Sequence, residues 1–187
     1  MLSHRFHEAI GRLINKEKYQ DCEIWMDRAC DPRNGHKIYL YKDNIRYSDV
    51  DILIVKKKGP GIIIEIEESN VKPINLFGKF FAAAFSDHYQ TKDTESRLLG
   101  YPMLFIQVVL SELKTKSKKS EQWYSIEKII QDTTVKSVSK RIKEYSFFQF
   151  RQIAPRLYDE SQRFQDSIST FLKNPYHRMG KIENILL

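Results

Sequence analysis

An α/β protein with a central mixed sheet flanked by helices is the architecture this sequence predicts, on three observations. Two short β-branched runs, "DILIV" and "GIIIEIE", stand either side of "KKKGPG", whose Gly-Pro-Gly suits a tight reversal between antiparallel strands. A third apolar run, "PMLFIQVVL", comes only after a Phe-rich stretch with helical spacing, as a crossover back to the same sheet requires. Helical periodicity both opens and closes the chain.

Taken in order, Leu2, Phe6, Ala9, Ile10, Leu13 and Ile14 recur at helical spacing with Ser3 placed to cap them, which predicts an amphipathic helix over about residues 4–18. "CEIWM" and "KIYLY" flank the turn "DPRNGHK", giving a hairpin or two separate short strands. The pair "DILIV" and "GIIIEIE" follows. Pro73 then opens a helix whose Phe77, Phe80, Phe81, Ala84 and Phe85 share one face and pack on the sheet. Residues 102–110 form the next strand, "KTKSKKSEQ" a basic loop, "WYSIEKIIQD" a helix and "EYSFFQF" a further strand. Residues 159–173 close the chain as an amphipathic helix carrying Phe164, Ile168, Phe171 and Leu172. With no internal repeat and no linker, residues 1–187 are expected to be one domain, with a core over about 1–110 and a helical C-terminal part over about 120–187.

Bulk composition narrows the class. Apolar residues at 41%, charged residues at 29%, and only 7 Gly and 6 Pro describe a packed core rather than a disordered chain. A net charge of +7 favours a polyanionic partner or an anionic surface, although a solvated basic surface gives the same number. Cys22 and Cys30 are separated by seven residues, with no CxxC, no histidine pair at metal spacing and no disulfide framework, so a reducing cytoplasm is expected. The N-terminus lacks the apolar core of a signal peptide, and no apolar run approaches the roughly 20 residues that span a bilayer, so no membrane role is expected.

The acids are the informative residues. "SDVDILIVKKKGPGIIIEIEES" places carboxylates at 49, 51, 65, 67 and 68 around two apolar strands. Residues two apart share a strand face, so Asp49 and Asp51 are expected to lie with Leu53 and Val55, and Glu65 and Glu67 with Ile63. Counting outward from the turn brings Asp51 opposite the Glu65 to Glu67 region, so three or four carboxylates would converge. Such a cluster raises its own pKa values unless a divalent cation neutralises it. Oxygen-only ligands favour Mg²⁺, with Mn²⁺ able to substitute, and point to phosphoryl transfer or phosphodiester hydrolysis. Acids at strand ends are often only solvent-facing positions, but two pairs on adjacent apolar strands weigh against that reading.

"VDILIV" followed, fourteen residues after its Asp, by "EIE" resembles the core of the PD-(D/E)XK nuclease superfamily, which includes many restriction endonucleases. The resemblance implies a restriction-endonuclease-like central mixed β-sheet flanked by helices. It makes Asp51 the first acid and Glu65 the acid of the triplet, both metal ligands, and sets Glu67 where Lys is usual, as a metal ligand or water-activating base. Val50 replaces the family's Pro. Some restriction endonucleases of the superfamily carry ExE, and the longer phrase "YSDVDILIV…IIIEIEESNVKPINLFGKF" is similar to that group. With only about 75 residues beyond the core and no zinc finger or helix-turn-helix among them, the chain looks similar to the small cleavage subunit of a heterodimeric type IIS restriction endonuclease. Double-stranded DNA and a larger recognition subunit would then be its partners. A small homodimeric type II enzyme, and an inactive nuclease-fold module that binds DNA or a partner, are the alternatives.

Weaker candidates surround this set. Glu8 stands where many members of the superfamily place an acid on the first helix, but lies opposite the apolar stripe. His88, one helical step past Phe85, is expected at the edge of the active site. Lys72 and Lys79 are candidates to hold phosphate near the metal, Lys56, Lys57 and Lys58 to meet the DNA backbone, and residues 114–119 more weakly so. Asp49 and Glu68 are expected to flank the site.

Overall fold

The computed structural model describes residues 4–14, 16–57, 59–68, 72–92, 94–110, 119–134, 141–150 and 158–175. It is a mixed α/β structure. Its larger sheet has five strands in the order β1 (Cys22–Met26), β4 (Ile52–Lys56), β5 (Gly61–Glu67), β8 (Met103–Leu110) and β9 (Ile142–Phe150). β4 pairs antiparallel with β1 on one side and β5 on the other, whereas β5, β8 and β9 run parallel, so the sheet is mixed as expected. Parallel strands need a crossover, and α2 (Pro73–Phe85) lies in the connection from β5 to β8.

A second sheet was not foreseen. β2 (Ile38–Lys42), β3 (Ile45–Val50), β6 (His88–Thr91) and β7 (Arg97–Leu98) form four strands in the order β3-β2-β6-β7. β2 and β3 turn through Asp43 and Asn44, both at positive φ, the backbone that a two-residue hairpin of this twist demands. "CEIWM" and "KIYLY" therefore form strands of different sheets. Asp49 likewise belongs to β3, not to the strand of Leu53 and Val55, because the chain leaves one sheet and enters the other at Asp51.

β4 and β5 are apolar on both faces because both faces are covered. Ile52, Ile54, Ile62, Ile64 and Ile66 pack on one side with Phe6 and Ile10 of α1 (Arg5–Leu13) and with Phe164, Ile168 and Phe171 of α4 (Tyr158–Lys173). Leu53, Val55 and Ile63 pack on the other with Phe80 and Ala83 of α2, Ile126 of α3 (Lys119–Ile129), and Ile38, Leu40 and Val50 of the second sheet. The last helix buries the residues expected of it.

Three boundaries differ from expectation, the first being that of α3, which already begins at Lys119, inside the stretch expected to be a basic loop. α1 ends at Leu13, and the chain continues into a 3-10 turn, Lys16–Tyr19, whose Tyr19 hydroxyl lies 2.9 Å from Ser169 Oγ on α4. α2 stops at Phe85, which is 46% exposed rather than packed on the sheet. The Ser3 cap, Lys58 and residues 114–118 lie outside the described residues. Among the described residues no helix is long and apolar enough to cross a membrane.

Candidate active site

The register of the β4–β5 pair places the acids. Ile52 stands across from Ile64 and Leu53 from Ile63, so one step further brings Asp51 across from Glu65. β4 ends before Asp51, and the side chain takes over where the backbone ladder stops: Ile66 N donates to Asp51 Oδ2 at 2.7 Å. The Asp51 carbonyl accepts from Asp27 N at 2.8 Å, which ties the end of β1 to the same point.

Glu65 is 1% exposed on a strand otherwise buried in hydrocarbon. Its Oε2 accepts from Lys79 Nζ at 2.8 Å, while Oε1 is buried with no hydrogen-bond partner. Lys79 Nζ also lies 2.7 Å from Glu67 Oε1. The ammonium that meets these two carboxylates reaches the end of β5 from α2. α2 is held for this by Gln107 of β8, paired in register with Glu65: its Nε2 donates to the Leu76 carbonyl at 3.0 Å, and its Oε1 accepts from the Tyr145 hydroxyl. Leu76 lies three residues before Lys79, on the same side of the helix.

Electrostatics follow from this geometry. Burial and then the neighbouring Asp51 push the Glu65 carboxyl up to about 8, against the pull of Lys79. Burial also raises Asp51, partly offset by Lys79, His7 and the Ile66 amide. Burial works against the charge on Lys79, but Glu65 and Asp51 outweigh it and hold the ammonium above the usual lysine range.

A cleft of about 460 Å³ opens onto this cluster, lined by Asp27, Asp51, Glu65 and Lys79, with Lys37 and Tyr47 among its other walls. The oxygens available to a cation are those of Asp51 and Glu65, with Asp27 alongside. They do not make a closed cage: among the described residues the only three ligand atoms found within 4.8 Å of one another belong to His4, His7 and Glu68. The expected convergence of three or four carboxylates is thus a pair, Asp51 and Glu65, with Lys79 joining Glu65 to Glu67.

The remaining candidates sort by the elements that carry them. Glu8 pairs with Arg12 on the outer face of α1, and the residue that α1 brings to Asp51 is His7, whose Nε2 lies 3.8 Å from Asp51 Oδ1. His88 is not a helical residue, since Ser86 ends α2; it sits on β6 with Nδ1 2.7 Å from Asp87 Oδ1. Lys56 pairs with Asp21 at 2.8 Å. It lies at the opposite end of β4 from the acids, about 16 Å along a five-residue strand. Lys57 lines a second cleft there with Arg97. Lys72 is exposed just ahead of α2. Asp49 is held by Arg46 at 2.8 Å on the cleft's rim, and Glu68 caps α1 by accepting from Phe6 N and His7 N at 2.7 and 2.9 Å.

Asp27 and His7 were missed by sequence reasoning. Asp27 had a signal, since it opens "DRACDPRNG" and its Oδ1 accepts from Ala29 N and Cys30 N, an Asx-turn arrangement. Behind it, a Cβ on Gly35 would fall 2.2 Å from the Asp27 carbonyl oxygen. Gly35→Ala is therefore expected to displace this turn at a cost of about 2 kcal/mol, read as a lower urea midpoint with unchanged m-value; an unchanged midpoint would refute the close approach.

Compared with family models, with curated proteins and with solved structures, the chain finds no match.

Proposed function

We propose that the chain is a Mg²⁺-dependent endodeoxyribonuclease of the PD-(D/E)XK type with an ExE triplet, acting as the cleavage subunit beside a larger DNA-recognising subunit. The observation that carries this reading is a buried carboxylate, Glu65, with one oxygen lacking a partner, next to Asp51 at the floor of an open cleft. An unsatisfied buried carboxylate oxygen is costly unless a cation completes it. The donors fit a hard ion that binds through one or two carboxylates and shares its remaining positions with water and phosphate.

When bound, a divalent cation supplies positive charge to the phosphate and makes water a better nucleophile at neutral pH. Asp51 and Glu65 would hold it, Asp51 with its Oδ2 already oriented by the Ile66 amide. Glu67, half-buried at the end of β5, would take the proton of the attacking water on its carboxylate. Lys79 balances the carboxylates in the resting state and, with a third of its side chain exposed to the cleft, is placed to meet a phosphate oxygen when the cation takes over Glu65. The +7 net charge suits a polyanion, and the free thiols Cys22 and Cys30 suit the cytoplasm.

A second reading, a nuclease-fold module that binds DNA or a partner without cutting, draws on one observation: Lys79 already pairs with both Glu65 and Glu67 where a cation would bind. Calorimetric titration with Mg²⁺ and Mn²⁺ at pH 8, paired with nicking of supercoiled plasmid with and without a candidate partner subunit, separates the two. Metal uptake with metal-dependent nicking, both lost in Asp51→Asn, is the expected result. Absence of metal uptake and of nicking would leave the module.

A further inference from the structure

We propose that His4, His7 and Glu68 form a second cation site, separate from the oxygen-lined one, which takes a transition-metal ion of the zinc class. One ligand atom from each residue lies within 4.8 Å of the other two. His7 Nδ1 is 3.0 Å from Glu68 Oε1, and His4 Nδ1 is 3.8 Å from Glu68 Oε2. Ligand atoms around a tetrahedral zinc at its usual bond lengths stand roughly 3.3 Å apart, so these separations bracket what an ion between them needs.

A histidine–carboxylate ion pair accounts for the contact of His7 with Glu68 and leaves His4 unexplained. His7 Nδ1 is buried and, although close to Glu68 Oε1, has no hydrogen-bond partner. Glu68 Oε1 is already engaged by the amides of Phe6 and His7. Its Oε2 faces His4 at a distance too long for a hydrogen bond. Three donors thus gather around one point, His7 and Glu68 in contact and His4 standing off. His4 and His7 are three residues apart at the first turn of α1, so both project from one side of the helix, with their rings edge-to-face at 5.4 Å between centroids. The sequence analysis found no histidine pair at metal spacing, and His4 and His7, three residues apart, are such a pair.

Imidazole nitrogen with one carboxylate suits zinc and its neighbours rather than Mg²⁺. On the far side of the ring, His7 Nε2 faces Asp51 Oδ1 at 3.8 Å, the place where a metal-bound histidine usually meets a carboxylate. An ion here would tie the start of α1 to the end of β5 and fix the His7 ring beside Asp51. The inference does not depend on the nuclease reading.

Cobalt absorption on the tag-free full chain is the test. One Co²⁺ per chain with a nitrogen-ligand visible band is expected, displaced by Zn²⁺ and not by Mg²⁺. His4→Ala should weaken Co²⁺ binding at least tenfold, as should His7→Gln, while Glu65→Gln changes it less than twofold. Zn²⁺ should raise the Tm of the wild type and not that of His4→Ala. Because His4 is largely exposed ahead of the helix, that variant keeps the fold, which far-UV circular dichroism verifies. Absence of a cobalt band, or an affinity that neither histidine substitution changes, overturns the site.

Discussion

A Glu65→Gln protein is expected to lose metal-dependent cleavage by about 10³-fold or more and yet, without metal, to be more stable than the wild type at high pH. In the folded chain the Glu65 carboxyl is raised from 4.5 to about 8. The folded protein therefore keeps a proton that the unfolded chain releases across that interval. The resulting advantage is fully present below 4.5 and is lost as pH rises through about 8. Glutamine has no charge to bury, so the two proteins should differ little near pH 5 and by roughly 2–4 kcal/mol near pH 9, in the variant's favour. Lys79 keeps Glu67 as a partner in the variant. Urea unfolding in chelator at pH 5, 7 and 9 reads the effect directly, and parallel pH slopes for the two proteins would remove Glu65 as the ionisable group. Metal binding to the wild type must displace that proton, so Mg²⁺ affinity should climb with pH until about 8 and then level off.

Lys79→Met is expected to weaken the fold and the cleavage while strengthening the metal site. The ammonium contacts both Glu65 and Glu67, and removing one partner of a largely buried pair leaves carboxylates to face each other. The cost, about 2–3 kcal/mol after allowing for the part of Lys79 that water reaches, should be greatest at pH 8–9 and shrink towards pH 5, where Glu65 takes up a proton instead. With the competing cation gone, Mg²⁺ should bind several-fold tighter and restore most of the lost stability. Cleavage should still fall about 10²-fold, because the charge placed to meet phosphate is missing. Tighter metal with slower cutting is the signature. Weaker metal binding in Lys79→Met would mean that Lys79 supports the cation site rather than competing for it. A cycle with Glu65→Gln measures the coupling between the two residues.

The strands, the turn between β4 and β5, and the opposition of Asp51 to Glu65 were legible because they are local. A short antiparallel pair takes its register from its own turn, so counting residues outward from Val55 and Gly61 reproduces the pairing. The placing of Glu8 failed by one position, because successive residues on a helix point about 100° apart and periodicity locates the buried stripe without saying which flank borders the acids. His88 failed because Ser86, whose amide bonds back to the Ala83 carbonyl, ends the helix and starts a strand. The second sheet was hidden by exposure and distance: β3 carries mostly polar, solvent-facing residues, and β6, the other partner of β2, follows only after α2 in the chain.

By itself the amino-acid sequence determined the strands of the larger sheet and the main helices, that two acids meet across one hairpin, and that the chain is basic. Each depends on periodicity, turn chemistry or composition, which act over a few residues or over the whole chain without regard to its path. Tertiary structure alone decided that Lys79 stands between Glu65 and Glu67, that Asp27 and His7 border Asp51, and that Glu68 caps α1. Those contacts join residues 12 to 62 positions apart. Their geometry depends on how α1 and α2 seat on the two faces of β5, and close packing of the side chains between them sets that seat.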